Sequence, residues 1–168
     1  MKKLVMITAL MSLSFNGLTF AHGDEAHNDE AHHDKRMMSH HEDHAAAIGK
    51  PGDAGKADRT VEIIMNDTMR FSPSSVAVKK GETIHFVLRN TGKLKHEMVL
   101  GSISELKEHA TMMRKMPEME HADANMASIE AGKTGELIWQ FTKSGKFDFA
   151  CLQPGHFEAG MKGKVVVK

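Results

Sequence analysis

The chain's only cysteine opens a run of donor side chains, Cys151-Leu-Gln-Pro-Gly-His156-Phe-Glu-Ala-Gly-Met161. A thiol, an imidazole and a thioether follow one another with four residues between each pair. Soft sulfur stabilises Cu(I), imidazole suits both oxidation states of copper, and a distant thioether acts as a weak axial donor. A trigonal copper set of this kind needs a second imidazole, and His96 in Lys95-His96-Glu97-Met98-Val99 is the best candidate. Such a set disturbs neither oxidation state much, so little rearranges when one electron moves. The competing reading is a buried structural cysteine beside a surface turn. It leaves the company of His156 and Met161 without a reason.

His85 is the rival for the second imidazole. It lies in the middle of an alternating run, on the face opposite Ile84, Phe86 and Leu88, where an exposed histidine is the ordinary outcome. His96 instead follows the loop Gly92-Lys-Leu-Lys95 and begins a strand, and it is expected to tie the cysteine loop to the other sheet. Pro154 and Gly155 restrict and sharpen the loop between Cys151 and His156. With one cysteine, a dinuclear centre built on two thiolates within a single chain is excluded.

The beginning of the chain reads as a leader. Lys2 and Lys3 precede a largely apolar stretch from Leu4 to Leu18, and Thr19-Phe20-Ala21 puts small residues where a signal peptidase requires them. Cleavage after Ala21 would give a mature chain starting at His22 and located in the periplasm. The apolar stretch is short for a membrane span and is interrupted by Ser12, Ser14, Asn16 and Gly17. No membrane span is therefore expected after cleavage. Export also bears on the cysteine, because structural cysteines in an oxidising compartment come in pairs and an odd one calls for another role. Ligating copper is such a role.

A formal net charge of zero gives no basic field for nucleic acid. Residues 22–58 are expected to be disordered, since they are rich in His, Asp, Glu, Ala, Lys and Gly without apolar periodicity. Within them Asp24-Glu-Ala-His-Asn28 is echoed by Asp29-Glu-Ala-His-His33, and seven histidines fall between His22 and His44. Gly49-Lys-Pro-Gly-Asp-Ala-Gly55 reads as a flexible linker.

The elements that must position the donors lie in residues 59–168. Val61–Met65, Val76–Val78, Thr83–Asn90, His96–Leu100, Thr134–Phe141, Lys146–Cys151 and Lys164–Val167 read as short strands separated by turns. Ile84, Phe86 and Leu88 share one face, as do Leu137, Trp139 and Phe141. That pattern predicts an all-β, antiparallel β-sandwich. Residues 102–126 stand apart as a polar, methionine-rich and partly helical insertion.

The run Phe147-Asp-Phe-Ala-Cys151-Leu-Gln-Pro-Gly-His156 followed by Met161 resembles the ligand loop of the cupredoxins, the blue-copper family of plastocyanin, azurin and auracyanin. Phe71-Ser-Pro73 and Gly81-Glu-Thr-Ile-His-Phe86 resemble cupredoxin strands. With its histidine-rich exported leader, the whole is most similar to the copper-tolerance cupredoxins of proteobacteria, the CopI type. The resemblance implies a Greek-key β-sandwich with one mononuclear copper held by His96, Cys151, His156 and Met161, and no enzymatic activity. Many cupredoxins carry Asn directly after the upstream histidine, where it braces the cysteine loop. Here Glu97 stands in that place, and an ionised carboxylate only accepts hydrogen bonds. Two outcomes are open for it: exposure to solvent, or a place facing the metal.

The insertion carries His109, Met112, Met113, Met116, Met119, His121 and Met126. On a helix Met112 and Met116 stand four apart and can capture Cu(I), whereas the plain alternative is adaptable filler against the sandwich. The tail histidines can bind Cu(II) weakly or serve as a soluble spacer. Three functions follow. A periplasmic protein that binds, buffers or transfers copper in copper tolerance would use the tail and insertion. A soluble electron carrier between redox partners needs neither, but needs an exposed apolar patch near His156, from Leu152, Pro154 and Phe157. A cuprous oxidase is disfavoured because additional copper motifs are missing. Copper ions are the expected partner, with a periplasmic redox partner or copper transporter beside them.

Overall fold

The structure, a computed structural model, describes residues 48–117, 119 and 122–168. The expected leader, residues 22–47 of the expected histidine-rich tail, and His121 of the insertion lie outside the described residues. Ten strands are found among the described residues: β1 (Gly49–Pro51), β2 (Arg59–Asn66), β3 (Arg70–Ser72), β4 (Ser75–Val78), β5 (Thr83–Asn90), β6 (His96–Gly101), β7 (Met126–Ile129), β8 (Thr134–Phe141), β9 (Gly145–Ala150) and β10 (Lys162–Val167). One α-helix, α1 (Ile103–Lys115), follows β6.

Alternation of apolar and polar side chains drives the sandwich together, because successive residues of a strand face opposite sides. In β5, Ile84, Phe86 and Leu88 are buried, and in β8, Leu137, Trp139 and Phe141 are buried. In β10, Val165 and Val167 face inward while Lys162 and Lys164 stay exposed. These faces meet in one core that also takes in Ile63, Met65, Phe71, Met98, Leu100 and Phe149. Burying each such large side chain contributes roughly 1.5–3 kcal/mol.

The two sheets run β1-β8-β5-β2-β3 and β4-β10-β9-β6-β7. The expected β-sandwich is present and most of its pairings are antiparallel, with one parallel pairing in each sheet among the described residues. β2 runs parallel to β5, and β4 runs parallel to β10. Parallel neighbours cannot be joined by a tight hairpin. The chain reaches β5 from β2 by leaving the first sheet through β3, visiting β4 in the second, and returning.

The linker expected at residues 49–55 is also corrected. Gly49, Lys50 and Pro51 pair with Phe141, Gln140 and Trp139 at the sheet edge, and Ile48 beside them is fully buried. A proline is tolerated on an edge strand, where its missing N–H costs no ladder bond. Gly- and Pro-rich composition thus hid the domain's first strand.

Helix α1 lies within the expected insertion. Ser102 accepts from the Glu105 N–H, the Glu105 side chain accepts from the Ser102 N–H, and Arg114 and Lys115 occupy the last turn. This capping box satisfies two backbone donors that would otherwise lack partners, and the basic residues favour the helix C-terminus. Leu106, Ala110 and Met113 pack on Val99, Ala150, Leu152 and Phe157. The strand β6 is consequently buried at every residue, covered by the core on one face and by α1 on the other.

Candidate metal centre

β9 ends at Ala150 and delivers Cys151 to one end of the sandwich. β6 begins there with His96 and runs antiparallel to β9, with Val99 opposite Ala150. His96 is therefore on the neighbouring strand of the same sheet, not on the other sheet as expected, so backbone hydrogen bonds fix its position relative to Cys151. From Leu152 the chain turns back to β10. Within this loop the Met161 N–H donates to the His156 carbonyl at 3.0 Å, and the Cys151 N–H donates to the Met161 carbonyl at 3.1 Å. The three residues that spacing singled out are thus closed into one ring of backbone bonds.

His96, Cys151 and His156 bring their donor atoms together. His96 Nδ1 lies 3.2 Å from His156 Nδ1, Cys151 Sγ lies 3.3 Å from His156 Nδ1, and Cys151 Sγ lies 4.0 Å from His96 Nδ1. A triangle with those sides has a circumradius of about 2.1 Å, close to ordinary metal–nitrogen and metal–sulfur bond lengths. The donor set and its dimensions fit one copper ion. Met161 is fully buried in the same core cluster as Cys151. His85 is not part of the group; it sits mid-strand in β5 with Glu136 Oε2 3.2 Å away.

Two further residues organise the centre: Asp67, which the sequence did not single out, and Glu97, whose task it left open. Asp67, in the β2–β3 turn, places Oδ1 3.2 Å from His96 Nε2. With Nε2–H donating to that carboxylate, the lone pair of the ring is left on Nδ1, the atom that faces Cys151 and His156. The same carboxylate accepts from the Lys93 and Leu94 N–H groups at 2.8 and 3.3 Å. The Lys93 bond, opposed by desolvation and reinforced by Leu94 and His96, holds the Asp67 carboxyl below its ordinary range. Gly92 is required beside it, because a Cβ there would collide with the Asp67 carboxylate. The neighbouring Asn90 donates to the Leu94 and Ile129 carbonyls, which pins the loop that leads into His96.

Glu97 neither reaches solvent nor faces the metal donors. Only 2% of it is exposed. Strand alternation sends His96, Met98 and Leu100 inward and Glu97 outward, toward α1. Its carboxylate accepts from the Leu152 N–H at 3.0 Å, from Gln153 Nε2 at 3.1 Å and from Ser128 Oγ at 3.3 Å. Its own backbone N–H donates to Cys151 Sγ at 3.4 Å. The carboxylate therefore braces the cysteine loop by accepting. That use was missed because sequence spacing does not reveal that the Leu152 N–H needs an acceptor.

Electrostatics at the centre follow burial. Desolvation pushes the Cys151 thiol up to about 12, with the Glu97 charge adding to it and the Glu97 and Gln153 N–H groups opposing. Metal uptake must expel that proton, since the thiolate is the ligand form. Burial lowers His156, and the neighbouring His96 lowers it further, so its ring stays neutral and available as a donor. The rest of the loop is tied down from outside. Arg70 donates to the Ala159 carbonyl at 2.8 Å, Arg114 pairs with Glu158 at 3.0 Å, and Lys162 lies over the Phe157 ring. Gly160 supplies a positive φ of 96° just before Met161, which residues with a side chain rarely adopt.

The methionines of the insertion divide. Met113 is buried under α1, Met116 is exposed, and Met112 is half-buried. Of the apolar patch expected near His156, only Pro154 is exposed, because Leu152 and Phe157 are buried under α1.

The family model for copper binding proteins of the plastocyanin/azurin family matches residues 57–168. A copper-resistant cuproprotein CopI from Rubrivivax gelatinosus is 55% identical over 130 residues, covering 77% of this chain and 79% of its own. A copper-resistant cuproprotein CopI from Pseudomonas aeruginosa is 37% identical over 154 residues, covering 74% of this chain and 84% of its own. Among solved structures, auracyanin B superposes with a TM-score of 0.60 at 21% identity, over 71% of this chain and 94% of that one, a likeness of fold.

Proposed function

The chain belongs to the plastocyanin/azurin family of copper-binding proteins, and on that premise we propose that it is a periplasmic copper-tolerance protein. It binds, buffers or transfers copper without catalysing a reaction, and His96, Cys151, His156 and Met161 are the ligands of its mononuclear thiolate site. The observation that carries the reading is the convergence of His96 Nδ1, Cys151 Sγ and His156 Nδ1 on a common centre. Copper bound there supplies a one-electron couple and an intense thiolate-to-Cu(II) absorption. The protein's own part is to hold the donors nearly still: Asp67 sets the tautomer of His96, Glu97 fixes the start of the cysteine loop, and the Met161 carbonyl anchors Cys151.

The names of the relatives support tolerance as the purpose, and so does the placement of α1. A soluble electron carrier docks through an apolar surface around its exposed histidine, and here Leu152 and Phe157 are covered. Titration of the protein with Cu(II), followed by its visible spectrum, tests the ligand set. The wild type should develop one thiolate band at one equivalent, Cys151→Ser should develop none, and a band that survives in Cys151→Ser overturns the assignment. For the biological role, a copper-sensitive bacterial host should gain growth at elevated copper from the wild type and not from Cys151→Ser. Fractionation should place the protein in the periplasm. Equal rescue by both, or retention in the cytoplasm, would refute the role.

A further inference from the structure

A cleft of about 240 Å³ lies between the end of α1, β6 and β7, on the side of β6 away from the centre described above. Its lining includes Met113 from α1, Met119 from the segment after it, and Met126 from the start of β7, together with Glu97, Ser128 and Gln153. We propose that this cleft is a second metal site, selective for Cu(I), in which the thioethers of Met113, Met119 and Met126 are the ligands.

Three separate elements contribute the sulfurs, so the grouping is a product of tertiary structure and not a stripe along one helix. Packing alone accounts for Met113, which is 3% exposed and sits with Leu106 and Ala110. Met126 packs only in part against the same cluster, and Met119 belongs to no core cluster among the described residues; both stay half-buried and line an open cleft. Thioethers are soft, neutral donors that favour Cu(I) and bind Cu(II) or Zn(II) poorly. No imidazole or thiol lines the cleft among the described residues. The Glu97 carboxylate in the wall favours a cation, and the Lys95 ammonium at the rim is engaged by Glu130 at 3.4 Å. Glu97 also joins the two places, since its side chain forms the cleft wall while its N–H donates to Cys151 Sγ and its carboxylate accepts from the Leu152 N–H. A cuprous ion held in the cleft stands back to back with the main centre across one strand, a position suited to loading or relieving it. The site stands independently of the ligand assignment at that centre.

The test uses the full chain with ¹³C-labelled methionine methyls, anaerobic and reduced, brought first to one equivalent of Cu(I) and then titrated further. The methyls of Met113, Met119 and Met126 should move together in this second stage, after Met161 has moved in the first. Met119→Leu/Met126→Leu, which conserves volume, should weaken the Cu(I) affinity read from the second-stage shift of Met113 at least about tenfold, since losing even the partner of a ligand costs that much. Met112→Leu/Met116→Leu should leave it unchanged. Shifts confined to Met37, Met38, Met112 or Met116, or a Met113 response unaltered in Met119→Leu/Met126→Leu, would overturn the proposal. Failure of the main centre would show separately, as an absent thiolate band and an unmoved Met161 methyl.

Discussion

Glu97 shows how a residue type can be read correctly and its task misjudged. The carboxylate cannot donate as an asparagine would, yet the loop offers it donors in the Leu152 N–H, Gln153 Nε2 and Ser128 Oγ. Glu97→Ala strands the buried Leu152 N–H, and an unsatisfied buried donor costs about 1–3 kcal/mol. Urea denaturation of the metal-free protein should show a loss of that size, and Glu97→Gln, which keeps one accepting oxygen, should lose less. An unchanged midpoint in Glu97→Ala would remove the brace from the account. At the proposed copper site, Asp67 acts through its contact with His96. Asp67→Ala should lower copper affinity about 10- to 100-fold in chelator competition while the thiolate band persists, the usual cost of removing a partner that orients a ligand histidine. Equal affinities would mean that the tautomer is set by something else.

Among the elements, α1 does most to distinguish this molecule from a bare sandwich. It closes the outer face of β6 and β9 and buries Leu152 and Phe157, which flank the ligand loop on either side of Pro154 and His156. Its start depends on the capping box of Ser102 and Glu105. Ser102→Ala removes one half of that box and should cost about 1 kcal/mol. The loss should appear as faster hydrogen exchange of the α1 amides with little change in β5 or β8, and exchange at the wild-type rate would show that packing alone holds the helix. Much of this element was legible beforehand. The polar, methionine-rich composition of residues 102–126 marked an insertion with helical spacing, but no periodicity indicates which strand faces a helix will cover.

At the scale of the whole molecule, long-range ties hold the mixed sheets in register. Arg59 of β2 pairs with Glu82 at 2.6 Å, and Glu82 also accepts from the Lys79 N–H at 2.7 Å. Burial would raise the Glu82 carboxyl, but the Lys79 bond and the Arg59 charge outweigh it and hold the group below its ordinary value of 4.5. A carboxylate lowered in the folded state adds stability above its unfolded value, and that stability is lost as pH falls through the folded one. Melting temperatures of the metal-free wild type and Glu82→Gln should therefore differ at neutral pH and converge as the pH drops below about 4.5. A gap that stays constant down to pH 3 would sink this account.

The sequence by itself singled out the candidate donors, the metal they suit and the strand faces. Cys151, His156 and Met161 are local in the chain, copper chemistry constrains which residue types can serve, and alternation of side chains follows from the pleat of a single strand. His96 could be named as a candidate for the same reason. Tertiary structure alone decided that β6 neighbours β9 in one sheet, that Asp67 meets His96 from 29 residues away, and that Gly49–Pro51 forms an edge strand. It also decided that Glu97 accepts from the cysteine loop and that three methionines share a cleft. These outcomes depend on which distant backbone groups remain unsatisfied and which apolar faces remain uncovered once the strands have paired. Both are settled by the collapsed chain as a whole and by no stretch of it alone.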